Sequence, residues 1–432
     1  VFVVRTIRFQ AAGFWFLVTM QIFKSLLIFF LTYFHIAAPK LGLLKLDRPS
    51  WALVGAVLMV MTGVLTLQEA YTAIDLNTIV LLFGMMVLIS YMKLAGFFQV
   101  VSYRLQRYAR SPAVFLGMLI LVSGLLSAFF VNDTVCLMFT PLLVIMLSDA
   151  GLPPVPYLIA LATSSNIGSA FTLTGNPQNM LIGIFSGWNY AAFALYMLPI
   201  TFVALLINFL IVYTVYRKEL TVPRAQRAFQ KPDVDRRLLA KTFAVLAVVF
   251  AGFCFVKNLP LVAIAGAVFI IVLADRKPSK AFEKVDWTLL VFFCGLFIVT
   301  HGVNKALAGT SLYQHMISHF GRSVAAQVVN LSVVSVIGSN IVSNVPFVML
   351  AAHWIDRFID PKLMWLVLAM ASTFAGNLTL VGSVANLIVA EMAKDTVHVG
   401  FREYCKVGIL VTVLTTAVGV LMLLGYHAWG VL

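Results

Sequence analysis

The sequence predicts an all-α polytopic membrane protein built as two inverted repeats of about five spans each, with paired re-entrant hairpins and interrupted helices. Three observations predict it: an apolar composition, a one-sided distribution of basic residues, and a chain that matches itself at an offset of about 210 residues. Of the 432 residues 62% are hydrophobic and 11% charged, and the mean hydropathy is +1.00. An average soluble domain carries roughly 25% charge. Too few polar residues exist to cover a water-facing surface on a chain this long, which excludes a soluble globular enzyme and leaves lipid as the surrounding solvent.

In lipid every backbone polar group must be bonded internally, so each crossing is a helix of roughly 20 residues. Stretches of that kind lie near 12–34, 50–70, 75–95, 190–216, 238–256, 258–275, 286–305 and 406–428. The stretches 112–148 and 323–357 each fold around a polar tip, and 155–186 and 363–393 each carry a Gly, Ser, Thr and Asn-rich break in mid-span. No cleavable signal peptide is evident, because the first apolar segment carries Lys24 and no small-residue cleavage site follows it.

The net charge of +14 comes from 30 Lys and Arg against 16 Asp and Glu. If the most basic loop, 217–241, is cytoplasmic, 21 of those 30 fall on the cytoplasmic side, among them Lys40, Lys45, Arg48, Arg104, Arg107, Arg110, Arg224, Arg227, Arg276 and Lys277. The excess is therefore a map of topology. No basic face interleaved with aromatics exists to bind nucleic acid. Cys136, Cys254, Cys294 and Cys405 sit at unrelated spacings and give neither a metal motif nor a disulfide framework.

Self-comparison divides the chain into a first repeat, 1–216, a linker, 217–237, and a second repeat, 238–432. Asp75 meets Asp286, Lys93 meets Lys305, and Asn132 meets Asn344; Ser165, Gly168, Thr172, Gly175 and Asn179 meet Ser372, Ala375, Thr379, Gly382 and Asn386. The matched residues are mostly polar, which chance similarity between apolar helices does not produce. If each hairpin is re-entrant, each half crosses the membrane five times, and odd parity inverts the second half. An inverted repeat with broken helices at matching positions points to a secondary transporter with its site near the midplane.

The tips read Asn132-Asp133-Thr134 and Ser343-Asn344-Val345. Such triplets are costly at membrane depth unless they face protein, water or a ligand; the alternative is a turn at the membrane surface. Asp133 is the acid of the two tips: it reads as a carboxylate that exchanges protons with each bulk phase, as a cap of the following helix, or as both at once. In the first break, Gly175-Asn176-Pro177 stops a helix mechanically and frees backbone groups beside hydroxyls and amides. Ser165, Gly168 and Ser169 read as small residues for close packing, Lys93 and Lys305 as snorkelling span ends, and Asp75 and Asp286 as helix N-terminal residues.

At Asn132-Asp133-Thr134, at Ala162 through Ala170 with Gly175-Asn176-Pro177-Gln178-Asn179, at Ser343-Asn344-Val345-Pro346, and at Ala375 through Leu378 with Gly382-Ser383 and Ala385 through Val389, the chain resembles the ion transporter superfamily of arsenite permeases, sodium/proton antiporters and dicarboxylate carriers. It is most similar to the branch of plant silicon efflux transporters and related bacterial anion permeases, although its central loop is shorter than that of the plant proteins. The resemblance runs from about Asp75 to Ala417. It implies an elevator-type carrier in the plasma membrane, or the inner membrane of a bacterium, and a homodimer by family habit. In the silicon branch it further implies proton-driven efflux of a small metalloid oxyacid, silicic acid or arsenite. The expected coupling site is Asp133, for a proton or a sodium ion, with no other cofactor and no metal. Expected substrate or ion contacts are Asn132, Thr134, Thr174, Gly175, Asn176, Asn179, Ser343, Asn344, Gly382, Ser383 and Asn386. A coupled carrier of an inorganic or dicarboxylate anion is the other reading. A channel would need a continuous polar stripe, and an enzyme a nucleophile with a base; the seven His residues form no such set.

Overall fold

The computed structural model describes residues 2–37, 46–109, 111–220, 231–308 and 317–431, with side chains from residue 19 onward. Lys40, Lys45, Arg110, Arg224, Arg227 and His315, and the side chains of Arg5 and Arg8, lie outside the described residues. The helices are α1 (Phe2–Ala37), α2 (Arg48–Met61), α3 (Leu67–Ala73), α4 (Leu76–Leu94), α5 (Phe97–Leu105), α6 (Pro112–Phe130), α7 (Asn132–Ala150), α8 (Pro154–Ser169), α9 (Pro177–Ser186) and α10 (Tyr190–Tyr216). After the central loop come α11 (Arg236–Phe255), α12 (Leu259–Leu273), α13 (Pro278–Phe282), α14 (Trp287–Leu307), α15 (Val324–Val342), α16 (Asn344–Ile355), α17 (Pro361–Ala375), α18 (Val384–Ala393) and α19 (Phe401–Ala428). Among the described residues nine helices are long and apolar enough to cross a membrane.

Local chemistry sets the boundaries. Pro112, Pro154, Pro177 and Pro361 occupy the first turns of their helices, where a missing N–H costs nothing. Asn189, Asp235, Asn258, Asp286 and Asp360 accept from the backbone N–H three residues on. Asp75 does the same for Thr78 at 2.6 Å, so both matched aspartates are helix-start residues. The expected span 50–70 is shorter than predicted: α2 stops at Met61, Gly63 takes φ +74°, and a capping box of Thr66 and Glu69 starts α3. Hydropathy continues through that turn, and its polar signals were outweighed.

The helices break inside both expected hairpins and both expected interrupted spans. The first hairpin breaks at Val131 (φ 61°) between α6 and α7, the second at Ser343 (φ 74°) between α15 and α16. A β-branched residue in that region carries strain of roughly 1–3 kcal/mol that surrounding contacts must hold. The interrupted spans break at 170–176 and 376–383.

The chain forms two compact units, Val1–Ile79 with Asp286–Gly321 and Val80–Val285 with Arg322–Leu432. In the first, α1, α2 and α14 pack together, and three side chains cap the exposed carbonyls after α2. Lys24 Nζ donates to Thr62 O at 3.4 Å, Gln21 Nε2 to Gly63 O at 3.3 Å, and Lys305 Nζ to Val64 O at 3.4 Å and Glu69 Oε1 at 2.6 Å. A lysine within an apolar span thus satisfies a helix end.

In the second unit α6 packs on α8 and α15 on α17, while the outer arms cross: α7 lies against α18, and α16 against α9. Each hairpin therefore rests on the broken helix of the other half. Gly168 is a packing residue, since a Cβ there would stand 2.1 Å from Gly124 O.

Candidate functional site

The two breaks close in the same way. In the first, Asn176 caps α9 by accepting from Asn179 N–H at 2.8 Å, and Asn179 Nδ2 donates to the carbonyls of Ser169 (3.3 Å) and Thr172 (3.1 Å). In the second, Ser383 caps α18, and Asn386 Nδ2 donates to the carbonyls of Gly376 (2.7 Å) and Thr379 (3.1 Å). Each asparagine thus satisfies the carbonyls that end one half-helix from inside the next, where water is not at hand. Pairs matched by sequence make matching bonds.

A chain of amides joins the halves. Asn166, in the last turn of α8, donates through Nδ2 to Asn377 Oδ1 and Asn386 Oδ1, both at 2.9 Å. Its Oδ1 accepts from Asn132 Nδ2 at 2.9 Å and from Ser383 Oγ at 3.0 Å. All four hydrogen-bonding places of this buried side chain are filled. In the other direction, Thr373 Oγ1 on α17 accepts from Asn176 Nδ2 at 3.2 Å and Gln178 Nε2 at 3.5 Å. Ser169, read from sequence as packing, also bonds here: Asn176 Nδ2 donates to its Oγ at 2.8 Å.

The structure brings most predicted residues together. Asn132 is buried, its N–H donating to Gly175 O at 3.1 Å, and its Oδ1 has no hydrogen-bond partner. Asn344 at the second tip is buried too, and its Oδ1 is likewise unpartnered. Both tip asparagines are thus covered by protein. Ser343 is half-buried at the break itself. Thr174, beside Gly175, is drawn away from the amides: its hydroxyl meets Tyr190 OH at 2.8 Å. Gly382 sits in close quarters: a Cβ there would lie 2.7 Å from Asn340 Oδ1 and 3.1 Å from the carbonyls of Gly376 and Thr379.

Asp133 and Thr134 are half-buried in the first turn of α7, and Thr134 does not enter the amide network. The cap position of α7 is Val131, with no side-chain capping bond. Asp133 lies in the first turn, its carboxylate at the positive end of α7.

Sequence reasoning left Asn166, Asn340, Thr373, Asn377 and Tyr190 outside the site. Asn166 and Asn377 stand within the motifs that carry the family resemblance, and that was the available signal. Asn340 lies one turn before the second tip, donating to Ala375 O at 2.9 Å and accepting from Thr379 Oγ1 at 3.1 Å.

Chemically, the described network consists of neutral amides, hydroxyls and backbone groups. Each break and each tip brings together one helix C-terminus and one helix N-terminus, so the macrodipole ends offset one another locally. Among the described residues no group of His, Cys, Asp or Glu is placed to hold a metal ion. Such a site suits a small solute with both donors and acceptors.

Known proteins resemble this chain along most of its length. The profile of the citrate transporter family matches residues 26–375. The silicon efflux transporter LSI3 of Oryza sativa subsp. japonica is 30% identical, over 88% of this chain and 93% of that protein. A 46 kDa membrane protein of Mycobacterium leprae is 29% identical, over 94% and 97%. The crystal structure of the Alcanivorax borkumensis YdaH transporter, at 15% identity, matches with a TM-score of 0.57 over 96% of this chain and 98% of its own, a likeness of fold.

Proposed function

This chain belongs to the citrate transporter family and is a multi-pass secondary transporter of the lipid bilayer, and from that premise we propose that it exports a small metalloid oxyacid, silicic acid or arsenite, in exchange for protons. The observation that carries this reading is the neutral site. Three buried amide oxygens of the site, on Asn132, Asn179 and Asn344, lack hydrogen donors, and the bonds that join the amides run between neutral groups, which do not balance a multiply charged anion. A neutral polyhydroxylated acid supplies hydroxyl donors for those oxygens and acceptors for the nearby hydroxyls, and burial makes unfilled acceptors costly. Asn176, Asn179, Ser383 and Asn386 hold the half-helix ends that frame the site, and Asp133, at the start of α7, carries the proton. The matched bonds of Asn179 and Asn386 support the inverted-repeat reading. An elevator movement of hairpins and broken helices together accounts for the crossed packing of α7 on α18 and α16 on α9.

The test is transport in proteoliposomes: an imposed pH gradient should drive silicic acid or arsenite flux, and Asp133→Asn should leave a folded protein whose flux no longer responds to the gradient. Wild-type pH dependence in that variant would remove Asp133 from the coupling step. A second reading has its own support, because unpartnered amide oxygens also suit a hard cation and the family is described by citrate. Flux of a carboxylate or inorganic anion driven by a sodium gradient, with none of silicic acid, would favour that sodium-coupled anion carrier.

A further inference from the structure

The amide network has a direction. Gly376 O and Thr379 O can only accept, so the Asn386 amide must turn Nδ2 toward them and its Oδ1 toward Asn166. Thr163 O likewise accepts from Asn377 Nδ2 at 3.3 Å, which turns Asn377 Oδ1 toward Asn166 as well. Facing two acceptors, Asn166 must present Nδ2 to them and Oδ1 to the other side. Asn132 then has to offer Nδ2 to Asn166, which leaves its own Oδ1 buried and unpartnered at the first hairpin tip. Reversing any one amide sets oxygen against oxygen.

We propose that Asn166 is a positioning residue that relays hydrogen-bond polarity from the second broken helix to the first hairpin tip, so that Asn132 always presents an acceptor and the site selects solutes that donate hydrogen bonds. The relay rests on geometry alone; its consequence for the cargo rests on the neutral-oxyacid reading. Its equivalent in the second half, Thr373, has a hydroxyl that can both donate and accept, so it cannot impose a polarity in this way. The relay runs from the second half to the first.

Two measurements on the full-length protein separate the relay from the cargo. The first is a thermal or chemical unfolding cycle with Asn132→Ala, Asn386→Ala and the double variant, in the wild-type background and with Asn166→Ala. Asn132 and Asn386 share no hydrogen bond, so the relay predicts that their effects on the unfolding constant are non-additive by about fivefold with Asn166 present, and additive with Asn166→Ala. Additivity in both backgrounds overturns the relay. The second is competition in proteoliposomes. Asn166→Ala should raise half-saturation for silicic acid about tenfold with maximal flux little changed. It should also narrow the gap between silicic acid and sulfate, which carries only acceptors. Sulfate competing equally well in the wild type, with the unfolding coupling intact, overturns the donor selectivity while the relay stands. A wild type that carries no silicic acid counts against the cargo reading, and the unfolding cycle still decides the relay.

Discussion

The two hairpins share a plan and differ in where they are anchored. The first is held at its tip: Asn132 bonds Gly175 O through its N–H and Asn166 through its side chain. The second is held one turn earlier, by Asn340 against Ala375 O and Thr379, and Asn344 makes neither of the bonds that Asn132 makes. The breaks follow suit. Residues 172–176 of the first are buried, whereas Leu378–Leu380 of the second are half-buried and Val381 is 46% exposed. Thr172 and Thr379 show the difference in miniature: Thr172 donates to the backbone carbonyl of Ala128, and Thr379 to the side chain of Asn340, the matching residue. Equivalent positions thus hold one tip through its own asparagine and the other only one turn away, beside a more exposed break, which teaches that the two are not interchangeable parts of the candidate site.

The strongest way to break that comparison is at the α6–α8 contact. Gly168→Ala places a methyl against Gly124 O and should cost about 3 kcal/mol by overpacking, whereas Ala375→Gly at the matching position should cost about 1 kcal/mol through backbone entropy. Thermal unfolding in detergent checks both; equal losses would mean that the first half is not the tighter one. Next in size, Asn132→Ala should lower stability by roughly 2 kcal/mol, because it leaves the Gly175 contact unsupported and removes a donor from Asn166. Asn344→Ala should leave stability nearly unchanged and still reduce transport. Matching stability losses would show that the second tip is anchored after all.

Asn340→Ala should cost about 1–2 kcal/mol and loosen the second tip, seen as faster hydrogen exchange at Phe347, whose N–H bonds Ser343 O at 3.2 Å, with the first hairpin unaffected. The smallest effect belongs to the other unit and serves as a reference that neither hairpin should alter. Lys305 above all, and then the Thr66 N–H, hold the Glu69 carboxyl down to about 2 from its ordinary 4.5. A depressed carboxylate stabilises the fold fully above pH 4.5, and that contribution falls away as the pH drops toward 2. Glu69→Gln should therefore lower stability slightly in the neutral region, converge with the wild type toward pH 2 and so flatten the acid limb of the unfolding profile; an unaltered acid limb would remove this pair from the account.

Much of this was legible in the chain itself. Composition and hydropathy located the helices because lipid tolerates little else, and Gly175 and Pro177 announced the first break through a missing side chain and a missing donor. Asp75 and Asp286 were readable as helix starts for the same local reason. Asn166 was not readable as the junction of the two halves, because its partners Asn377 and Asn386 are more than two hundred residues away and nothing local states which amide meets which. Ser169 looked like a spacer because its second bond is made to Asn176 across the break. Lys305 looked like a snorkelling span end until Val64 O and Glu69 supplied its partners.

The sequence by itself determined the family, the membrane-spanning helical class, the positions of both hairpins and both breaks, and the polar residues gathered at them. These follow from hydrophobicity, backbone preference and capping, all of which act within a few residues. Only the tertiary structure decided which tip is anchored, which amide oxygens stay unpartnered, and that orientation passes through Asn166 from the second half to the first. Hydrogen bonds are directional and an amide has two unlike ends, so the chemistry each asparagine shows to the site is settled by its distant neighbours rather than by its place in the chain.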